Sequence, residues 1–143
     1  MDWIAILLAL ILIAVAALHL SWAFGSSWPG TDQKSLSDRV VGTPDATKMP
    51  PAGLTFIVAI LIACAALWPL LWQALIPYPH WVPQTLVWLG MWCLAIVFLV
   101  RGLGGYLPSA RLTVEPFRTL NTIIYSPLCI ALSAGFFTLV LNP

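Results

Sequence analysis

Four unbroken apolar stretches, at about 3–24, 54–76, 82–100 and 123–141, alternate with polar connections along this chain. Each stretch is close to the roughly 20 residues an α-helix needs to cross the hydrocarbon core of a bilayer. The pattern predicts an all-α integral membrane protein, an antiparallel four-helix bundle forming one four-span domain over residues 1–143. The long connections are 25–53 and 101–122, and a short turn near 77–83 joins the middle spans.

Charge adds an orientation. All six basic residues fall in the two long connections: Lys34, Arg39 and Lys48 in the first, Arg101, Arg111 and Arg118 around the other. By the positive-inside rule both long loops face the cytoplasm, and the termini and the short turn lie outside. Ala14, Val15 and Ala16 imitate a signal-peptide cleavage site. The run is too long and lacks a basic leader region, so it reads as a retained span.

Composition then excludes classes. Hydrophobic residues make up 61% of the chain and charged ones 8%, with a mean hydropathy of +0.96; a soluble domain carries about 25% charged residues. Four spans leave no room for a soluble catalytic domain, and no basic tract exists to hold nucleic acid through its phosphates. Cys64, Cys93 and Cys129 all fall inside spans without metal-ligand spacing. They read as small buried hydrophobes.

The first loop contains one further element. Residues 31–41 read as a short helix capped by Thr31 or Asp32, with Leu36 and Val40 on one face and Gly42 placed to end it. Such a helix either lies along the membrane surface or docks as a partial lid over the bundle mouth; a plain linker is the alternative. Pro69 should kink the second span. Trp68, Trp72, Trp88 and Trp92 predict a solid outer half, which argues against an aqueous pore. Trp3 and Trp81 suit the outer interfacial belt, as Trp22 and Trp28 suit the inner one.

Candidate chemistry gathers at the cytoplasmic ends. His19 is the one ionisable side chain within the first span, and such residues are functional candidates because burying them is costly. Arg118, Asn121, Thr122 and Tyr125 follow at helical spacing on one face entering the last span. With Arg101 at the same depth, these residues predict a single polar mouth at which spans one and four are neighbours, His19 facing the Arg118–Tyr125 stripe. The candidates for binding a ligand or partner are thus His19, Trp22, Arg101, Arg118, Asn121 and Tyr125. Arginine offers a forked donor to a headgroup, quinone carbonyl or carboxylate, while His19 and Tyr125 can carry protons. Each has a plain structural counterpart: a helix-bridging imidazole, belt tryptophans, and arginines that snorkel to lipid phosphates.

Several chemistries find no residues. His80 stands in the outer turn, nearly a bilayer thickness of about 30 Å from His19, so the two cannot share a haem. A zinc-protease motif, a P-loop and a nucleophile elbow are absent from the sequence. No catalytic residue and no metal ligand is assigned. Gly102, Gly104 and Gly105 read as a tight turn opening the third loop.

The block His19, Trp22, Gly25, the Trp28-Pro29-Gly30 turn, and Arg118 with Tyr125-Ser126-Pro127-Leu128-Cys129 resemble a bacterial family of small four-span inner-membrane proteins catalogued as a domain of unknown function. The resemblance covers nearly the whole chain. It implies the same fold and a bacterial inner membrane, and no activity.

Three functional readings follow. Scarcity of catalytic groups favours a non-enzymatic accessory or assembly subunit that binds a lipid or a protein partner, a second copy included, at the polar mouth. The second is a small membrane enzyme or quinone-binding protein with His19 and Tyr125 as proton carriers. A transporter or channel ranks last. No cofactor is assigned; quinone and lipid are the ligands the mouth would suit.

Overall fold

The computed structural model describes residues 1–44, 46–77 and 80–142; Asp45, Tyr78, Pro79 and Pro143, together with the side chain of Arg111, lie outside the described residues. The helices are α1 (Asp2–Ala23), α2 (Gln33–Val40), α3 (Ala52–Trp72), α4 (Gln84–Gly104), α5 (Phe117–Leu120) and α6 (Ser126–Leu141). A 3-10 turn, Pro108–Leu112, precedes α5, and a π turn, Asn121–Tyr125, joins α5 to α6. The stretch Phe117–Leu141 therefore acts as one long helix, and with α1, α3 and α4 it makes four helices long and apolar enough to cross a membrane. The chain is a multi-pass membrane protein.

The element ends follow local chemistry. Pro51 and Pro83 sit immediately before α3 and α4, where a missing N–H removes a donor that would have no helical partner. Three boundaries differ clearly from the sequence expectation. The second span stops at Trp72, short of residue 76. The third span continues through Arg101 to Gly104, and the last begins at Phe117. Arg101 and Arg118 are thus helical residues whose long side chains reach back to polar partners, which a hydropathy window scores as loop.

Helices α1 and α3 pack closely, as do α4 and α6, while α3–α4 and α1–α6 contacts are sparser. Neighbours run antiparallel. The amino terminus of α1 donates to Gln73 Oε1 just past the end of α3 (3.3 Å). Leu8, Leu12, Met91, Leu132, Phe136 and Leu139 form the core. Leu10, Leu61, Val97 and Val100 are more than half exposed on the outside. Facing lipid, they gain nothing by burial, so helix pairing rests on small residues and single hydrogen bonds. Alanines at 5, 9 and 16 of α1 and at 59 and 66 of α3 are buried. Across the other pair, Ser133 Oγ donates to the Ala95 carbonyl (2.7 Å).

Aromatic rings fill the half of the bundle that holds the α3–α4 connection. Trp72 Nε1 donates to the Leu139 carbonyl (3.0 Å). Trp92 meets Trp88 and Phe137 edge-on at 6.2 and 5.6 Å, and the Trp68 indole lies on Gly90, where no side chain stands in its way.

The first-loop helix is docked. Asp32 caps α2 by accepting the Ser35 N–H (2.7 Å), and Gly42, at a φ of +70°, ends it with its N–H on the Ser37 carbonyl. Leu36 is fully buried, and α2 rests on α5. The Gly42 carbonyl accepts the Val114 N–H (3.1 Å), which ties the first loop to the third.

Candidate ligand chamber beneath the first-loop helix

The predicted mouth residues separate into three groups, because the last span does not keep α-helical register. Pro127 has no N–H to give and would crowd the carbonyl one turn earlier in a regular helix. The chain widens ahead of it into the Asn121–Tyr125 π turn, in which Ser126 N–H bonds the Asn121 carbonyl. The next donor in that register would be Pro127, and the Thr122 carbonyl instead accepts the Tyr106 hydroxyl (3.0 Å). One extra residue in the turn redistributes side chains that regular spacing would align.

Asn121 points inward and is buried. Its Oδ1 accepts from Arg101 Nη2 (2.8 Å) and, at 3.5 Å, from Ser126 Oγ, and its Nδ2 donates to the Gly105 carbonyl (3.5 Å). The Gly102 and Gly105 pair makes this possible. A side chain at Gly102 would meet Ile130 and the Ser126 carbonyl, and one at Gly105 would meet Ser126 Oγ. Gly102 and Gly105 serve a close approach of α4 to the last span, and Gly102 and Gly104 lie inside α4, so the turn that opens the third loop begins only at Gly105.

Arg118 turns elsewhere. Its Nε and Nη2 donate to the Thr113 carbonyl (3.2 and 2.7 Å), with Glu115 at 3.8 Å. With Thr122 it lines a groove beside Tyr106 and Leu107. The Tyr125 ring lies tilted against Phe117 at 5.9 Å, and its hydroxyl donates to the Arg39 carbonyl at the end of α2 (3.0 Å). The Arg118–Tyr125 stripe is therefore not one face, and its members bind the loops to the bundle.

His19 faces a different wall from the one predicted. It lines a cavity of about 160 Å³ with Trp22, Val40, Val41, Met49, Pro50, Leu54, Thr55 and Val58. Helices α1 and α6 do touch, but toward the amino-terminal end of α1, around Leu8 and Gly135. The end of α2 separates His19 from Tyr125: the Arg39 carbonyl meets Tyr125, while Val40 and Val41 turn to the cavity. His19 and Trp22 stay together, their rings 4.8 Å apart.

Local bonding sets the chemistry of this chamber. His19 Nδ1 is 2.9 Å from the Val15 carbonyl, one turn back in α1, and so carries the proton. Trp22 Nε1 donates to the Trp28 carbonyl (2.6 Å), which folds the loop after α1 back onto the helix. Thr55 Oγ donates to the Pro51 carbonyl (3.3 Å). Sequence reasoning missed Thr55 and the Met49–Pro50 wall. Thr55 was the one legible signal, as the first polar side chain inside the second span. No curated protein and no solved structure matches the chain. One family model does, that of a protein of unknown function (DUF3995), over residues 12–136, which takes in both the His19–Gly25 and the Tyr125–Cys129 blocks, and the chain belongs to that family.

Proposed function

We propose that the protein is a non-enzymatic accessory or assembly subunit of a bacterial inner membrane that holds a lipid-like amphiphile in the His19 chamber, with α2 as its strap. The observation that carries this reading is the chamber itself, an apolar cavity with few polar groups, roofed by a docked helix beside the membrane surface. The other mouth residues support it by what they do. Arg101, Asn121, Arg118 and Tyr125 hold helices and loops together, so no pair of proton carriers shares the chamber. A proton path through His19 and Tyr125 loses its basis, since Tyr125 does not line the cavity.

Native mass spectrometry of the chain released in mild detergent tests the reading. A retained amphiphile is expected, lost when Val58→Trp fills the cavity. A bare chain, or the same adduct in the filled variant, would overturn it.

The basic loops face the cytoplasm in this proposal. Cys64 and Cys93 are exposed on their helices and Cys129 is half-buried, not the buried hydrophobes expected. All three lie within the spans, where lipid would shield them from an impermeant reagent, so they are replaced by alanine before single cysteines are introduced. An impermeant maleimide should modify a His80→Cys variant in intact cells and a Lys48→Cys variant after the membrane is opened. The reverse pattern would invert the topology.

A further inference from the structure

We propose that the groove where α4 ends and the last span begins holds the head of a zwitterionic aminophospholipid, its phosphate on Arg118 and its ammonium toward Glu115. The groove has a volume of about 260 Å³, and Gly105, Tyr106, Leu107, Ala110, Arg118 and Thr122 line it. It shares no residue with the His19 chamber, so it stands or falls apart from the chamber's contents. Helix α4 runs to Gly104 and the last span starts at Phe117. The groove therefore lies where span gives way to loop, the level of lipid headgroups. Leu103, Leu107 and Ile123, in or next to the lining segments, are more than half exposed. They offer an apolar surface to the acyl chains of a lipid whose head sits in the groove.

One side chain brings unspent donors to the groove. Arg118 gives Nε and Nη2 to the Thr113 carbonyl (3.2 and 2.7 Å), which fixes the plane of its guanidinium. The far edge, Nη1 with the second Nη2 hydrogen, has no partner among the described residues. That edge is the fork from which a phosphate accepts in bidentate fashion. The backbone N–H groups of Tyr106, Leu107, Ala110 and Arg118 are already bonded within the chain. The other polar side chains accept. Tyr106 Oη spends its hydrogen on the Thr122 carbonyl, and Thr122 Oγ1 spends its own on the Arg118 carbonyl, so both keep lone pairs. Glu115 Oε2 takes the Thr119 N–H and hydroxyl, while Oε1 stands 3.8 Å from Arg118 Nε, beyond hydrogen-bond reach. This ion pair is about half exposed and adds little to the fold, which leaves both charges open to a ligand bearing their opposites. A lone anion would gain Arg118 and be repelled by Glu115. A zwitterion satisfies both. An ammonium that keeps its N–H groups also satisfies the lone pairs of Tyr106 and Thr122, whereas a trimethylammonium has the charge and no donor.

Native mass spectrometry of the full chain in mild detergent tests this by titration with four probes. They are dioctanoyl phosphatidylethanolamine, dioctanoyl phosphatidylcholine, dioctanoyl phosphatidylglycerol and free glycerophosphoethanolamine. Phosphatidylethanolamine should bind roughly ten-fold more tightly than either other lipid, through the hydrogen bonds of its ammonium. It should also bind more tightly than the free ester, which has the head without the chains. Glu115→Gln keeps an acceptor for Thr119 and should bring phosphatidylethanolamine and phosphatidylglycerol within about three-fold of each other. Arg118→Lys keeps the charge without the fork and should weaken all three lipids roughly ten-fold. Each titration is repeated in Val58→Trp, whose His19 chamber is filled, and the same preferences should persist. Equal binding of the three lipids, affinities unmoved by Arg118→Lys, a preference untouched by Glu115→Gln, or one that disappears in Val58→Trp would overturn the proposal. A free ester that binds as tightly as the lipid would overturn the membrane as its source.

Discussion

Gly102→Leu is expected to be the most damaging single change in the bundle, at roughly 3 kcal/mol. The first added carbon would already meet the Ile130 side chain, and it would stand 3.1 Å from both the Ile130 nitrogen and the Ser126 carbonyl. Backbone cannot rotate aside as a side chain can, so the further atoms of leucine must push α4 off the last span. That separation would stretch the Ser133–Ala95 and Arg101–Asn121 bonds, at 2.7 and 2.8 Å. Gly104→Ala is the matched control, because nothing lies within 4 Å of its added carbon. It should stay within about 0.5 kcal/mol of the parent. Thermal unfolding of both variants in lipid discs checks the contrast, and equal melting temperatures would remove the close-approach argument.

Asn121→Leu comes next, with an expected loss of roughly 2 kcal/mol. Inter-helix hydrogen bonds in membranes average only about 0.6 kcal/mol, but Asn121 is the shared partner of three groups. Its removal leaves the Gly105 carbonyl and Ser126 Oγ without it, in a space closed by two helices, and frees a guanidinium that now has a fixed acceptor. A double-mutant cycle with Arg101→Leu separates the parts. If the two losses simply add, the 2.8 Å bond carries no coupling and the damage comes from the buried Gly105 and Ser126 groups.

The first-loop helix was legible from local chemistry. Its cap at Asp32, its Leu36–Val40 face and its Gly42 terminus all depend on residues within one turn of each other, so spacing alone discloses them. The stripe on the last span was not, because the π turn ahead of Pro127 shifts the register between Arg118 and Tyr125. Proline announces an irregularity, and the form it takes depends on what Tyr106 brings to the Thr122 carbonyl from another helix.

By itself the sequence determined the four spans, the aromatic bulk at one end of the bundle and the short capped helix of the first loop. These rest on hydropathy, residue volume and capping, which are properties of a segment and its immediate neighbours. Tertiary structure alone decided that α1 pairs with α3 and α4 with α6, that Asn121 turns to Arg101, and that His19 opens onto Thr55 and not Tyr125. The reason is the solvent. In lipid every face of an apolar helix is equally at home, so the hydrophobic pattern marks no face for a partner. Pairing is settled by where glycine and alanine let backbones approach and where single polar groups find each other, and these are meetings between residues far apart in the chain.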